Sequence, residues 1–176
     1  MTDAELARRI REQAYLEGDF VLRSGRRSRY YLDKYRFETE PALLRALGER
    51  LAARVAEAAP RATRLAAPEL GAVALAAAAS LASELPFLIV RKQAKEYGTG
   101  RGLEGAFEDG ELVCLVEDVV TTGGAAVEAV RSLRAAGLSC EVAVCAVDRE
   151  EGGEDALARD GVQLVPLFRA ADIAAA

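Results

Sequence analysis

The sequence predicts one α/β domain with a mostly parallel five-stranded sheet, helices on both faces and a small N-terminal subdomain. Three observations carry that expectation. From residue 64 onward, short apolar runs alternate with helical stretches, the pattern of strand–helix–strand units. The runs LVCLV (112–116) and VAVCAV (142–147) are continuously hydrophobic, as strands buried on both faces must be. A chain of 176 residues, 51% hydrophobic and 29% charged, suffices for one full core.

Thr2 and Glu5 form a capping box that starts a helix over roughly 3–17. Phe20–Leu22 and Tyr30–Leu32 read as extended runs joined by a turn rich in Ser, Gly and Arg. Pro41, leucines at 43, 44, 47 and 51, and Val55 define an amphipathic helix that stops before Pro60. Strands are expected at Arg64–Ala67, Phe87–Arg91, Leu112–Glu117, Glu141–Val147 and Gln163–Leu167. Helices are expected at Ala72–Glu84, at Ala125–Ala136 closed by Gly137, and at Glu154–Asp160 closed by Gly161. Residues 92–111 carry no helical pattern. Ligands of such sheets bind beyond the carboxyl ends of the strands. Function is therefore expected in the loops 67–71, 92–107, 117–124 and 148–153.

Composition excludes several chemistries. The chain has no histidine, so a Ser-His-Asp triad and a histidine-ligated metal are impossible. Cys114, Cys140 and Cys145 lack CxxC spacing and an even count, which argues against disulfides and zinc. A net charge of −5 argues against nucleic-acid and membrane partners. No segment approaches the roughly 18 apolar residues that span a bilayer. The N-terminus is charged throughout and does not read as a signal peptide, so a soluble cytoplasmic protein is expected. Only three of the 23 basic residues are lysine, namely Lys34, Lys92 and Lys95.

The most specific segment is LVCLVEDVVTTGGAAVEAV, residues 112–130. A buried strand delivers Glu117 and Asp118, and a Thr-Thr-Gly-Gly turn then opens a helix. Free backbone N–H groups at a helix start, with hydroxyls and bare glycines, cradle phosphate. The acids would repel phosphate but suit the vicinal hydroxyls of a sugar. Together they imply a phosphorylated sugar ligand. An ordinary strand–helix turn with solvated acids is the competing reading, disfavoured by Val119 and Val120 directly after the acids. Gly100-x-Gly102-x-x-Gly105 formally matches a dinucleotide fingerprint, but AFEDGE after it is not a helix. Its glycines fit a cationic lid over an anion instead. Residues 23–36 hold six basic side chains against Asp33. Alone, such a tyrosine-bearing hairpin would suit RNA, but in an acidic chain it reads better as a local anion site or dimer surface.

Residues 112–130 resemble the PRPP-binding motif of the type I phosphoribosyltransferases. Three more segments resemble the orotate branch of that family: FVLRSGRRSRYYLDKY (20–35), VRKQAKEYGTGRGLEG (90–105) and AVDREEGG (146–153). The resemblance runs from about residue 3 to 170. It implies the type I fold with an N-terminal hood and a mobile catalytic loop. In that organisation, 1–176 is a single domain, about 1–38 the N-terminal helix and hood, and about 60–170 the PRPP-binding core. It also implies that PRPP is bound by Arg23, Arg91, Lys92, Lys95, Tyr97, Glu117, Asp118, Val119, Val120, Thr121, Thr122, Gly123, Gly124 and Ala125. Lys95, Glu117 and Asp118 are then catalytic, and Tyr30, Tyr31, Thr121 and Arg149 bind orotate.

The activity so implied is transfer of the phosphoribosyl group from PRPP to orotate, with Mg²⁺ held mainly through PRPP and no protein metal ligand. A homodimer sharing the 92–107 loop across subunits is implied as well. Two departures stand out. Tyr97 occupies a position where the mobile loop often carries histidine, and the 67–71 loop, Ala-Pro-Glu-Leu-Gly, lacks the lysine of many relatives. Two rival readings share the 117–125 site: a phosphoribosyltransferase for another nucleobase, and a PRPP-binding regulator.

Overall fold

The computed structural model describes residues 1–21, 25, 27–92 and 102–176. The N-terminal segment comprises α1 (Asp3–Ala14), β1 (Tyr15–Val21), β2 (Arg27–Leu32) and α2 (Lys34–Glu38). The capping box forms as expected, with Thr2 accepting from the Glu5 N–H and the Glu5 carboxylate accepting from the Thr2 N–H. The first helix ends three residues early, because Tyr15 and Leu16 pair instead with Leu32 and Tyr31 in an antiparallel hairpin. Cross-strand pairing outweighs the local helical pattern there. The short helix α2 was not anticipated; it is pinned by the fully buried Phe37.

The rest of the chain runs α3 (Pro41–Ala58), β3 (Arg64–Pro68), α4 (Gly71–Ser83), β4 (Phe87–Val90), β5 (Leu103–Glu104), β6 (Leu112–Val120), α5 (Gly124–Ala135), β7 (Ser139–Asp148), α6 (Gly153–Arg159), β8 (Gln163–Arg169) and α7 (Ala170–Ala175). All five expected strands are present in one sheet, ordered β5-β4-β3-β6-β7-β8. Among the described residues of this sheet only β5, a two-residue strand inside the segment without a helical pattern, runs antiparallel, pairing with β4 at the edge. The domain is thus α/β with a mostly parallel sheet.

Side chains of the central strands alternate between two apolar layers. Cys114 and Val116 of β6, with Val144 and Ala146 of β7, join the layer formed with α1, α3, α4 and α7. Val113 and Leu115, with Ala143 and Cys145, join the layer under α5 and α6. This double burial is why both strands lack polar residues over those spans.

Strand β3 is flanked by β4 on one side and β6 on the other, both parallel to it. The chain winds outward in opposite directions from that pair, so a crevice opens beyond the ends of β3 and β6. Helix α4 follows β3 into one layer and α5 follows β6 into the other.

Helix α4 is seated closely on α3. A Cβ on Gly48 would stand 2.5 Å from the Ala78 Cβ and 2.7 Å from its carbonyl carbon. The Ala-rich sequence of α4 is therefore a close-packing device. Gly48→Val should force these helices apart and lower stability by about 2 kcal/mol, the usual scale of overpacking. Urea denaturation midpoints measure it, and an unchanged midpoint would contradict the contact.

Candidate active site

The carboxyl ends of β3, β4, β6 and β7 converge as the loop positions predict. Strand β6 extends beyond its expected end and carries Glu117 and Asp118 within it, 5% and 3% exposed. The strand expected to end at Glu117, with Asp118 on the following loop, is longer: parallel pairing continues through Val120 with Asp148, and both acids are buried. Val119 is half-buried and Val120 buried. Thr121 and the exposed Thr122 begin the turn, and Gly123 ends it at φ +80°, a conformation that favours glycine.

Helix α5 starts at Gly124 and Ala125 with no side-chain cap and no acid in its first turn. This sets it apart from α1, capped by Thr2, and from α3, where the Glu40 carboxylate accepts from the Leu43 N–H at 2.6 Å. An uncapped start with a positive dipole end is a place for an anion. The turn is buttressed by the next loop. A Cβ on Gly153 would fall 2.3 Å from Val120 Cγ1 and 2.8 Å from the Thr121 carbonyl oxygen. The Arg149 N–H donates to the Val120 carbonyl at 2.8 Å, clasping the same loop to the end of β6.

Arg149 is 8% exposed and forms an ion pair with Glu151 at 3.0 Å. Its guanidinium lies 4.8 Å from the centre of the Tyr30 ring, within cation–π range. Tyr30 in turn stacks on Tyr15 with centroids 4.9 Å apart, and Arg11 stands 5.8 Å from the Tyr15 ring. Tyr31 is 43% exposed and tilts against Phe20. Neither tyrosine of the pair enters the core; Leu32 does. The structure thus brings Tyr30 beside Arg149 although 119 positions separate them in the chain.

Arg91 follows β4; its N–H donates to the Gly102 carbonyl and its guanidinium lies 3.6 Å from Glu104. The exposed Lys92 donates its backbone N–H to Glu69 Oε1 at 2.8 Å, linking this loop to 67–71. Arg23, Lys95 and Tyr97 lie outside the described residues.

Sequence reasoning missed two polar residues. Lys34 Nζ donates to Asp118 Oδ2 at 2.5 Å, and Glu38, one helical turn on, is 2% exposed with its Oε1 lacking a hydrogen-bond partner among the described residues. The i, i+4 spacing on a helix carrying Phe37 was the available signal, obscured because Lys34 read as part of the basic cluster. Burial works to lower the Lys34 pKa, but attraction to Asp118 outweighs it and leaves it raised. Burial and then the neighbouring Asp118 push both Glu38 and Glu117 up to about 8, against the pull of Lys34. These two carboxyl groups are therefore mostly protonated at neutral pH.

A parallel sheet opening at a strand pair, buried acids at a strand end, and an uncapped glycine turn behind them define a type I phosphoribosyltransferase. No protein-family model matches the chain. The orotate phosphoribosyltransferase of Methanocella arvoryzae is 45% identical over 173 residues, covering 97% of each chain. The solved Aeropyrum pernix orotate phosphoribosyltransferase superposes with a TM-score of 0.83 at 33% identity, covering 98% of this chain and 96% of that one. The Mycobacterium tuberculosis enzyme in complex with PRPP gives 0.82 at 27% identity, covering 98% of both. The chain belongs to the orotate phosphoribosyltransferase family.

The two raised carboxyl pKa values have a consequence for stability. In the unfolded chain these groups ionise near 4.5; folded, they hold their protons to about 8. The folded state binds more protons across that interval, so stability falls as pH rises from roughly 4.5 to 8 and then levels. The raised Lys34 value acts only above 10.5, outside this window. Thermal melts should show Tm falling from pH 5 to 8, and Glu38→Gln should flatten the decline. A Tm rising over that range would contradict the assignment.

Proposed function

We propose that the chain catalyses Mg²⁺-dependent transfer of the 5-phosphoribosyl group from PRPP to N1 of orotate, giving orotidine 5′-phosphate and pyrophosphate in pyrimidine biosynthesis. The observation that carries this reading is the uncapped turn 121–125 behind two buried acids, with Arg149 and Tyr30 beside it. Family membership supports the choice of base.

In this reading the N–H groups and hydroxyls of Thr121, Thr122, Gly123, Gly124 and Ala125 hold the 5-phosphate. Glu117 and Asp118 orient the ribose hydroxyls, and the Asp118 carboxylate favours the positive charge that develops on the ring as the C1–O bond breaks. Arg91, Lys92 and Lys95 neutralise the departing pyrophosphate, with Arg23 and Tyr97 completing the PRPP contacts. Arg149 pairs with the orotate carboxylate, and Tyr30 and Tyr31 flank the base. N1 of orotate bonds to C1 as the C1–O bond to pyrophosphate breaks, and the N1 proton passes to the departing pyrophosphate, whose oxygens are basic enough to take it without a histidine.

A magnesium ion would be held mainly through PRPP, since Lys34 already neutralises the Asp118 carboxylate. When bound, that ion supplies further charge neutralisation for the leaving group. Among the described residues, no three acidic, cysteine or histidine side chains are grouped to hold a metal.

A homodimer sharing the 92–107 loop belongs to this reading. Helix α4 supports it, with no charged residue in its 13 positions and Leu81 87% exposed. The single-domain organisation with its hood is supported by the hairpin β1–β2 standing as a separate two-stranded sheet. A cytoplasmic setting is supported by three free buried cysteines, whose burial pushes Cys114 up to about 12 and Cys140 to about 11. No helix of the described residues is long and apolar enough to cross a membrane.

With Mg²⁺ and PRPP, the protein should consume orotate and leave uracil and adenine nearly untouched. Arg149→Ala should raise the orotate KM about 100-fold, the cost of leaving a carboxylate unpaired in a closed site, with little change in the PRPP KM. Equal use of uracil and orotate would sink the assignment, and consumption of no base would favour a PRPP-binding regulator.

Subunit mixing tests the shared loop. Lys95→Ala and Asp118→Ala homodimers should each be nearly inactive. Refolded together at random, half the dimers are mixed and hold one intact site of two, so recovery should approach about a quarter of wild-type activity. No recovery, with exchange verified by mass, would assign the loop to its own subunit.

A further inference from the structure

Lys34 comes from the N-terminal segment, yet its ammonium meets Asp118 at the far end of β6. Both oxygens of that carboxylate are engaged: Oδ2 by Lys34 Nζ, and Oδ1 by the Val119 N–H at 2.5 Å. The start of α4 closes on the pair from a third direction. A Cβ on Gly71 would fall 1.8 Å from Asp118 Oδ2 and 2.6 Å from Lys34 Nζ. The pair thus sits in the crevice between β3 and β6, with a glycine making room for it. The Lys34 side chain is 31% exposed against 4% for Asp118, so the contact has a buried end and an end open to solvent.

Stability alone is a poor explanation for this arrangement. Desolvating two charges offsets most of their attraction, and apolar groups of equal volume usually serve a core as well or better. Here a single lysine serves three neighbouring carboxyl groups, Asp118, Glu38 and Glu117, and its ammonium is placed on Asp118. The residue type fits the confined space. A compact ammonium on a flexible stem enters where a planar guanidinium fork meets Gly71, in a chain that otherwise uses arginine for 20 of its 23 cations. Lys34 also follows Tyr30 by four residues, so one short stretch carries both the ring on Arg149 and the ammonium on Asp118.

We propose that Lys34 is a positioning residue for phosphoribosyl transfer, holding the Asp118 carboxylate in the orientation that receives the ribose of PRPP and tying the hairpin that faces the base to the site that holds the sugar. The role rests on the transfer reading above. Lys34 acts through Asp118 and needs no contact with the reacting atoms.

A double-mutant cycle of Lys34→Met and Asp118→Asn tests it. Lys34→Met should lower kcat/KM for PRPP by about 10- to 100-fold, the usual cost of losing a partner that orients a functional group. In the Asp118→Asn background the same substitution should cost less than about 3-fold, because the group it positions is gone. Losses that multiply, or wild-type constants for Lys34→Met, would overturn the role. If Lys34→Met does not fold, Lys34→Gln, which keeps a donor, carries the same cycle with a smaller first loss and the same overturning results. Calorimetric binding of PRPP to the four proteins should show the same loss of additivity independently of turnover. Should the wild type bind PRPP without turning over orotate, the transfer reading fails while the binding cycle still decides the role of Lys34.

Discussion

The parallel pairing of β3 with β6 is the constraint on which the rest of the molecule depends. Because the chain winds outward from that pair in both directions, α4 and α5 are committed to opposite faces of the sheet. Their starts, at Gly71 and Gly124, then border one crevice. One start is crowded against an ion pair, where only a glycine fits. The other opens directly from the Thr-Thr-Gly turn, and neither has a side-chain cap. A single topological choice therefore separates a place for a cation-balanced acid from a place for an anion.

Much of this was legible in the chain. Continuous apolar runs identified the two central strands because burial on both faces leaves no position for a polar residue. The strand–turn–helix order of 112–130 was legible because a buried apolar run, a Thr-Thr-Gly-Gly turn and an Ala-rich helical stretch follow one another without a gap. What stayed hidden depends on contacts distant in sequence. Tyr15 and Leu16 continue a helical pattern, and only pairing with residues 31 and 32 makes them a strand. Lys34 lies 84 positions from Asp118, and in a run of basic residues nothing marks it as the one that turns inward. Asp118 lies beyond the expected end of its strand because acids seldom occupy a buried strand; the register with β7 keeps it and Glu117 inside β6.

The 121–125 turn and the Arg149 loop are in backbone contact at Gly123 and Gly153, with no side chain between them. Contacts between main chains cannot be relieved by a change of rotamer. The two loops are accordingly held as one rigid body, and the distance between whatever each binds is set by strand spacing. That is a suitable ruler for a reaction joining two ligands at a fixed separation.

The stack of Arg11, Tyr15, Tyr30 and Arg149 gives the first helix a standing beyond its contribution to the core. Each ring or guanidinium limits the motion of the next, so the edge of the site begins on a helix only two residues from the chain terminus. Trimming into that helix would take Leu6 and Ile10 from the core as well as free the stack. For anyone choosing where to attach an affinity tag, the opposite end of the chain is not a simple refuge either, since Arg11 also donates to the carbonyl oxygen of Ala176. Helix α7 is thus tied to the same arginine that stands over the aromatic pair.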